Sequence, residues 1–306
     1  MARKWTAADM PSLQGKIAVV TGANRGLGLQ ISEAVAKAGA HVVMAVRDPV
    51  GSAAAVDAVR LQAPDAEVDV VPLDLADLHS IRDFAFQMDK RFERIDILVN
   101  NASAILVPQG KTKDGFETHF GVNQLGTFAL TGLLLERLRA APGARIVNTS
   151  STAHRLVKGL DLDDLQFTLT PYKPMEAYGR SKLAILLFTF ELDRRLKAAG
   201  ADTLAVAAHP GYSNTKNGNG GWFMTLLTDI FAQPASMGAL PTLFAATAPE
   251  VAGGDYYGPD GMGEMRGYPT KVGTKPTARD HAMAVRLWAL SEALTGVGYL
   301  DGHPPK

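Results

Sequence analysis

The chain has no cysteine. Disulfides, thiolate catalysis and any cysteine-based zinc site are therefore excluded, and the sequence fits a reducing cytosol. Net charge is absent as well: 31 basic residues balance 31 acidic ones, and neither sign gathers into a run that would hold nucleic acid. Long apolar runs are missing too. Those around Ala184–Phe190 and Trp222–Leu227 fall far short of the about 20 residues that cross a membrane. Arg3 and Lys4 have no apolar segment behind them to make a secretory signal. His154, His209 and His281 have no ligand partner three or four positions on, and no His-Glu-x-x-His occurs, so no catalytic metal is expected. These absences leave a soluble, cytoplasmic protein without a nucleic-acid partner or integral membrane association.

What is present is an ordinary globular balance, 46% apolar and 20% charged over 306 residues, with material for one sizeable core. Short β-rich runs alternate with amphipathic ones. Ile17–Thr21, His41–Val46, Val68–Leu73, Ile95–Asn100, Arg145–Ser150 and Thr203–Ala208 read as strands. Leu27–Ala38, a segment from Pro49 to about Gln62, Leu78–Phe92, Phe116–Arg139 and Glu176–Ala199 read as helices, with Gly39 closing the first and Asp48 capping the second. This order predicts an α/β fold: one doubly wound, Rossmann-type parallel sheet with helices on both faces. The single domain spans 1–306, with a cofactor-binding part over about 15–150 and a catalytic and substrate part over about 151–306. Two stretches, Thr152–Met175 and Tyr212–Gly273, break the rhythm, and the second is expected to form a substrate lid over about 212–273.

The first strand runs into Thr21-Gly22-Ala23-Asn24-Arg25-Gly26-Leu27-Gly28, which opens a helix. Glycines at this junction permit a tight turn, let the backbone approach a pyrophosphate and let helix and strand pack closely. The helix N–H groups and dipole then face the phosphates. Gly22, Asn24, Arg25, Gly26, Leu27 and Gly28 are therefore candidate dinucleotide contacts.

With this Thr-Gly-x-x-x-Gly-x-Gly loop the chain resembles the classical short-chain dehydrogenase/reductase superfamily, and the rest of that pattern follows in order. Asp74-Leu75 comes after the third strand, Asn100-Asn101-Ala102 ends the fourth, and Asn123 lies in the long helix. Ser151 follows the fifth strand, Tyr178-Gly-Arg-Ser-Lys182 opens the next helix, and Pro210-Gly211 with Thr215 follows the sixth. One position departs: Ser103 stands where the family has glycine. His209-Pro-Gly, the Leu287-Trp-x-x-Ser291-Glu-x-Leu-Thr295-Gly tail and the long spacing from Ser151 to Tyr178 resemble the retinol-dehydrogenase-like branch, which implies lipophilic carbonyl or alcohol substrates.

The resemblance implies a catalytic set of Tyr178, Lys182, Ser151 and Asn123. It also implies cofactor contacts from Asp74 and Leu75, where the family meets adenine, and from Asn101, Ala102, Tyr178, Lys182, Pro210, Gly211 and Thr215. Reducing a carbonyl needs a proton at oxygen as well as a hydride at carbon. Tyr178 and Lys182, four apart, share a helix face, and a nearby ammonium is expected to lower the phenol pKa. Ser151 would bond the substrate oxygen, with Ser150 as its rival. In the resembled family the lysine also holds the nicotinamide ribose, and Asn123 kinks its helix around a water.

For the cofactor, the ribose-facing slot after the second strand falls at Val46 or Arg47, and neither is acidic. Arg47 and Arg25 favour NADP(H) over NAD, since a guanidinium matches a 2′-phosphate; Asp48 reads as a helix cap. The alternative is a non-catalytic NADPH-binding regulatory protein, which could dispense with the tyrosine or lysine that this chain keeps. The stripe Trp222, Phe223, Leu226, Leu227, Ile230 and Phe231 reads equally as pocket wall or core. His154 reads as a solvated loop residue. A small-molecule carbonyl or alcohol is the expected partner. A homodimer or homotetramer through the two long helices fits the run Ala184–Phe190, and burial within one chain fits it as well.

Overall fold

The computed structural model describes residues 4–212, 233–261 and 263–299. Among them one eight-stranded sheet runs in the order β3-β2-β1-β4-β5-β6-β7-β8. Its strands are β1 (Ile17–Thr21), β2 (His41–Val46), β3 (Val68–Pro72), β4 (Ile97–Asn100), β5 (Arg145–Thr149), β6 (Leu204–Ala208), β7 (Tyr256–Gly261) and β8 (Arg266–Lys271). All neighbours pair parallel except β7 and β8, which pair antiparallel. The expected doubly wound sheet is thus present, with two strands more than the sequence pattern announced.

Both faces of the sheet are covered. On one lie α1 (Gly26–Lys37), α2 (Ala53–Gln62) and α7 (Ala235–Thr247); Ile31, Val35, Val56, Leu240 and Phe244 pack there against Val20, Val42 and Met44. On the other lie α3 (Leu78–Arg91), α4 (Thr127–Leu133), α5 (Leu135–Arg139), α6 (Pro174–Ala198) and α8 (His281–Thr295). Strand residues alternate between the two cores, as their period of two requires: Ala18 and Val20 face α1, while Val19 faces α3 and α4. Local chemistry ends the helices. Asp77 caps α3 by accepting from the His79 and Ser80 amides, and Gly39 takes φ +100° just after α1.

The expected helix Phe116–Arg139 is broken rather than continuous. A wide π-helical turn covers Phe120–Gly126 before α4 and α5 follow. Gly126 lies so close to the loop after β3 that a Cβ on it would stand 2.4 Å from the Leu75 carbonyl oxygen. Such turns mark functional stretches of helix, and this one holds Asn123.

In the stretch expected as a lid, the described residues from 233 on include scaffold elements. Within it α7 packs in the core and β7 and β8 extend the sheet. Pro241 sits inside α7, and both strands carry glycine and proline, which conceals them from propensity. Pro259 pairs with Pro269 where the ladder shifts register, and β8 is the sheet's edge, where a missing donor is tolerated. Thr215 and the stripe Trp222–Phe231 lie outside the described residues. The run Ala184–Phe190 is buried within the chain except at Phe190. No helix among the described residues is long and apolar enough to cross a membrane.

Trp288 fastens α8 to the sheet's second face. Its ring meets Phe128 at 5.2 Å, Phe188 at 5.9 Å and Tyr299 at 4.5 Å, with the Arg195 guanidinium 4.2 Å above it. Its buried indole N–H has no acceptor. Trp288→Ala is therefore expected to cost about 3–5 kcal/mol in denaturant unfolding. Trp288→Phe should cost less, because it removes an unsatisfied donor worth about 1–3 kcal/mol. Equal costs for the two variants would refute this account of the indole.

Candidate active site

The strand order reverses between β1 and β4, so the loops leaving their C-terminal ends diverge and open a crevice. The glycine loop lines it. Gly22 and Gly26 take φ +65° and +54°, which a side chain would strain. A Cβ on Gly28 would stand 2.2 Å from the Gly22 carbonyl oxygen and 2.7 Å from Asn101 Nδ2, so α1 sits directly on the turn and on the loop after β4. Thr21, fully buried, locks that loop: its hydroxyl accepts from the amides of Asn101 (3.0 Å) and Ala102 (2.9 Å), and Asn101 Nδ2 donates to its carbonyl (2.9 Å). Arg25 is the N-cap of α1 and makes no side-chain cap bond. The first-turn amides of Gly26, Leu27 and Gly28, with half-buried Asn24 in the turn before them, form a cradle that fits a dinucleotide pyrophosphate.

At the end of β2, Val46 is buried in the core and Arg47 is exposed. Arg25 is exposed as well, and neither guanidinium is in an ion pair among the described residues. Asp48 is engaged as a cap, its Oδ1 accepting from the Gly51 amide at 3.0 Å where a short 3₁₀ turn, Val50–Ser52, leads into α2. Asp74 accepts from the Ala76 amide at 3.0 Å, and Leu75 is buried beside it.

The chemistry gathers one strand further on. Ser151 opens a 3₁₀ turn, Thr152–Arg155, after β5; its hydroxyl accepts from the Ala153 amide (3.2 Å) and lies near enough to the Tyr178 phenol to act on its pKa. Gly179 lets α6 approach this turn, since a Cβ there would stand 2.9 Å from the Ala153 carbonyl oxygen. One helical turn beyond Tyr178, Lys182 is 1% exposed. Its Nζ donates to Ser103 Oγ (2.7 Å) and the Thr149 carbonyl (2.9 Å) and lies 5.6 Å from the Tyr178 ring centroid. Ser150, the rival serine, is occupied elsewhere, its hydroxyl donating to the Lys182 carbonyl at 2.9 Å. Asn123 is buried, with its amide oxygen accepting from the Ala104 amide (2.8 Å) and its Nδ2 donating to Ala104 O (3.0 Å) and Ser181 Oγ (2.9 Å). It therefore ties the loop after β4 to α6.

The electrostatics differ from expectation. Burial pushes the Tyr178 phenol up to about 12, with the neighbouring Ser151 hydroxyl opposing, and pushes Lys182 down to about 7. The lysine's hydrogen-bond partners are neutral oxygens, so desolvation outweighs the expected lowering of the phenol.

Other polar groups cluster here unannounced. His154 is no solvated loop residue: it is fully buried, its Nδ1 lies 2.6 Å from the Ser151 carbonyl, and burial holds its pKa down at about 4. His119, also buried, sits beside Glu117 (3.0 Å) and the Tyr172 hydroxyl (3.0 Å), with its ring 6.1 Å from that of Tyr178. After β6, Gly211 takes φ +67° below Pro210. Glu264, on the β7–β8 hairpin, reaches His209 and Arg155. No local spacing marks these residues, because each reaches the site from a different element.

Residues 16–161 match the family model described as short chain dehydrogenase. Retinol dehydrogenase 13 of Homo sapiens is 40% identical, the alignment covering 94% of this chain and 86% of that protein. Polyprenol dehydrogenase of Mus musculus is 36% identical over 94% of this chain and 86% of its own. A crystal structure of a putative uncharacterized protein from Mycobacterium Paratuberculosis superposes with a TM-score of 0.82 at 43% identity, covering 97% of this chain and 100% of that one.

Gly28→Ala tests the cradle. The added methyl must displace α1 or the Gly22 turn, so stability should fall by about 1–3 kcal/mol and nicotinamide dinucleotide affinity should fall with it. Calorimetry and a fluorescence titration read both, and unchanged affinity would count against the cradle.

Proposed function

The chain belongs to the short-chain dehydrogenase/reductase family, in its retinol-dehydrogenase-like branch, and on that premise we propose that it is a cytoplasmic NADP(H)-dependent oxidoreductase interconverting a lipophilic carbonyl compound and its alcohol, with Tyr178 as acid–base group. The observation that carries the reading is the Tyr178 phenol beside the Ser151 hydroxyl, with Lys182 buried one helical turn on and bonded to the C-terminal end of β5.

When bound, the nicotinamide supplies or accepts the hydride. Everything else falls to the chain. The Ser151 hydroxyl donates to the substrate oxygen as negative charge grows there. Tyr178, held protonated at neutral pH by its raised pKa, gives its proton to that oxygen in reduction and takes one back in oxidation. Lys182, poised near neutrality, holds a proton one helical turn away and stabilises the phenolate left behind. Asn123 acts through position, keeping the loop after β4 and the Ser181 turn of α6 together.

A lipophilic substrate is supported by the rim. Ile105, Leu106, Leu156, Met175 and Met265 are exposed large apolar side chains within a few residues of Ser103, Ser151, Tyr178 and Glu264. The relatives named for retinol and for polyprenol point the same way. The test is a panel of lipophilic aldehydes and ketones followed by NADPH absorbance. A panel wholly inert, with NADPH still bound, would leave a nucleotide-binding protein in place of an enzyme.

Tyr178→Phe should lower turnover by at least about a hundredfold with NADPH affinity nearly unchanged, because it removes the proton and keeps the ring. Ser151→Ala should also cost about a hundredfold, whereas Ser150→Ala should chiefly cost about 0.5–1.5 kcal/mol of stability through the lost bond to Lys182. A larger rate loss in Ser150→Ala than in Ser151→Ala would reverse the assignment.

For the cofactor, Arg47 and Arg25 are exposed and in no ion pair among the described residues while Asp48 is spent on Gly51, which favours a 2′-phosphate. Arg47→Ala should weaken NADPH by roughly 1.5–3 kcal/mol, about ten- to a hundredfold, and leave NADH almost unchanged. Asp48→Ala should cost about 1 kcal/mol of stability and leave cofactor preference alone. Paired NADPH and NADH titrations decide it; equal losses for both nucleotides in Arg47→Ala would remove the argument for NADP.

A further inference from the structure

The hairpin joining β7 to β8 turns through Gly263 and Glu264, both left-handed at φ +64° and +65°. Glycine adopts this freely, whereas a glutamate is strained by it, so the side chain at this position calls for a reason. Its carboxylate joins two separate loops. Oε1 accepts from Arg155 (2.8 Å), four residues past Ser151, and Oε2 meets His209 Nε2 (3.1 Å), just before Pro210-Gly211.

The histidine passes the contact on. His209 is fully buried, and burial lowers its pKa, so the ring is neutral. Its Nδ1 accepts from the Gly211 amide at 3.2 Å, which leaves the proton on Nε2 to be donated to Glu264. The ring occupies space that only glycine leaves open, for a Cβ on Gly258 would stand 2.0 Å from Nε2. The same hairpin tip accepts the Tyr212 amide at the Met265 carbonyl (2.8 Å), and a Cβ on Gly211 would stand 2.4 Å from that oxygen. The turn 209–212 is thus held at its histidine and at its last amide by residues 264 and 265.

We propose that Glu264 is a positioning residue that sets the two halves of the site in register: through His209 it holds the Pro210–Gly211 turn on the nicotinamide side, and through Arg155 it holds the Ser151 turn on the substrate side. This rests on the function proposed above. The two arms serve different steps. The histidine arm governs cofactor affinity, and the arginine arm governs the rate.

Four proteins test it: wild type, Glu264→Ala, Glu264→Gln and Arg155→Ala, each measured for NADPH Kd by fluorescence titration, for kcat and KM, and for Tm. Glu264→Ala should raise Kd about tenfold and lower kcat by a similar factor. Arg155→Ala should lower kcat while Kd stays within about twofold. Glu264→Gln keeps an acceptor for the His209 N–H but loses the charge facing Arg155, so it should match Arg155→Ala and not Glu264→Ala. Loss of Tm alone, with Kd and kcat within about twofold in Glu264→Ala, would overturn the proposal, as would a Glu264→Gln whose Kd follows the alanine variant. If Glu264→Ala does not fold, the other two variants decide by the same split. A wild type that binds NADPH but reduces no carbonyl would overturn the proposed reaction alone, the Kd comparison still deciding Glu264; one that binds no NADPH would overturn both.

Discussion

The buried ammonium of Lys182 is the group around which the site is arranged. Taking a cation out of water is costly unless hydrogen-bond acceptors meet it, and here they come from two adjacent strands: the Thr149 carbonyl at the end of β5 and Ser103 in the loop after β4. The helix that carries the lysine is held in turn by Ser150, which donates to the lysine's own carbonyl. With α6 fixed over β4 and β5, Tyr178 comes to lie beside Ser151 with no freedom to drift. Asn123 closes the same circuit from the π-helical turn through Ala104 and Ser181. The same packing buries Lys182, and that desolvation pushes it down to about 7.

A second constraint lies at the sheet's reversal. The glycine loop, the loop after β4 and the Ser151 turn each leave the C-terminal end of a parallel strand, which brings together residues far apart in the chain. Gly28 on the Gly22 carbonyl, Thr21 on Asn101, and Ser103 on Lys182 form one line from the glycine loop to Lys182. Ser103 matters in that line. Where the resembled family has glycine, this chain supplies a hydroxyl to a buried cation, so the lysine here has an acceptor that a glycine would not offer.

How far the pattern could be read depended on whether local sequence and burial agreed. In β1, β2 and β4 they agree, and runs such as Ala18-Val19-Val20 are apolar because both faces are covered. They disagree in α7, where Pro241 stands inside a helix, and in β7 and β8, where prolines and glycines occupy sheet positions. Those elements persist because the core beneath them, Leu240 and Phe244 against β1 and β2, outweighs local propensity. Asp48 shows the opposite case. Its role as a cap was legible because capping acts across three residues, the distance over which the Gly51 amide lies.

The order of motifs alone determined the family and the parallel doubly wound sheet, and it nominated residues for the site, since a glycine loop, a Tyr-x-x-x-Lys spacing and a strand-end serine are each set by neighbours in sequence. Tertiary structure decided that the Ser150 hydroxyl is spent on the Lys182 carbonyl, that His154 is buried, and that the phenol rises while the ammonium falls. It also decided that a glutamate on the last hairpin reaches back to two loops. These outcomes depend on desolvation and on contacts between residues tens of positions apart, and neither is encoded in any short stretch of chain.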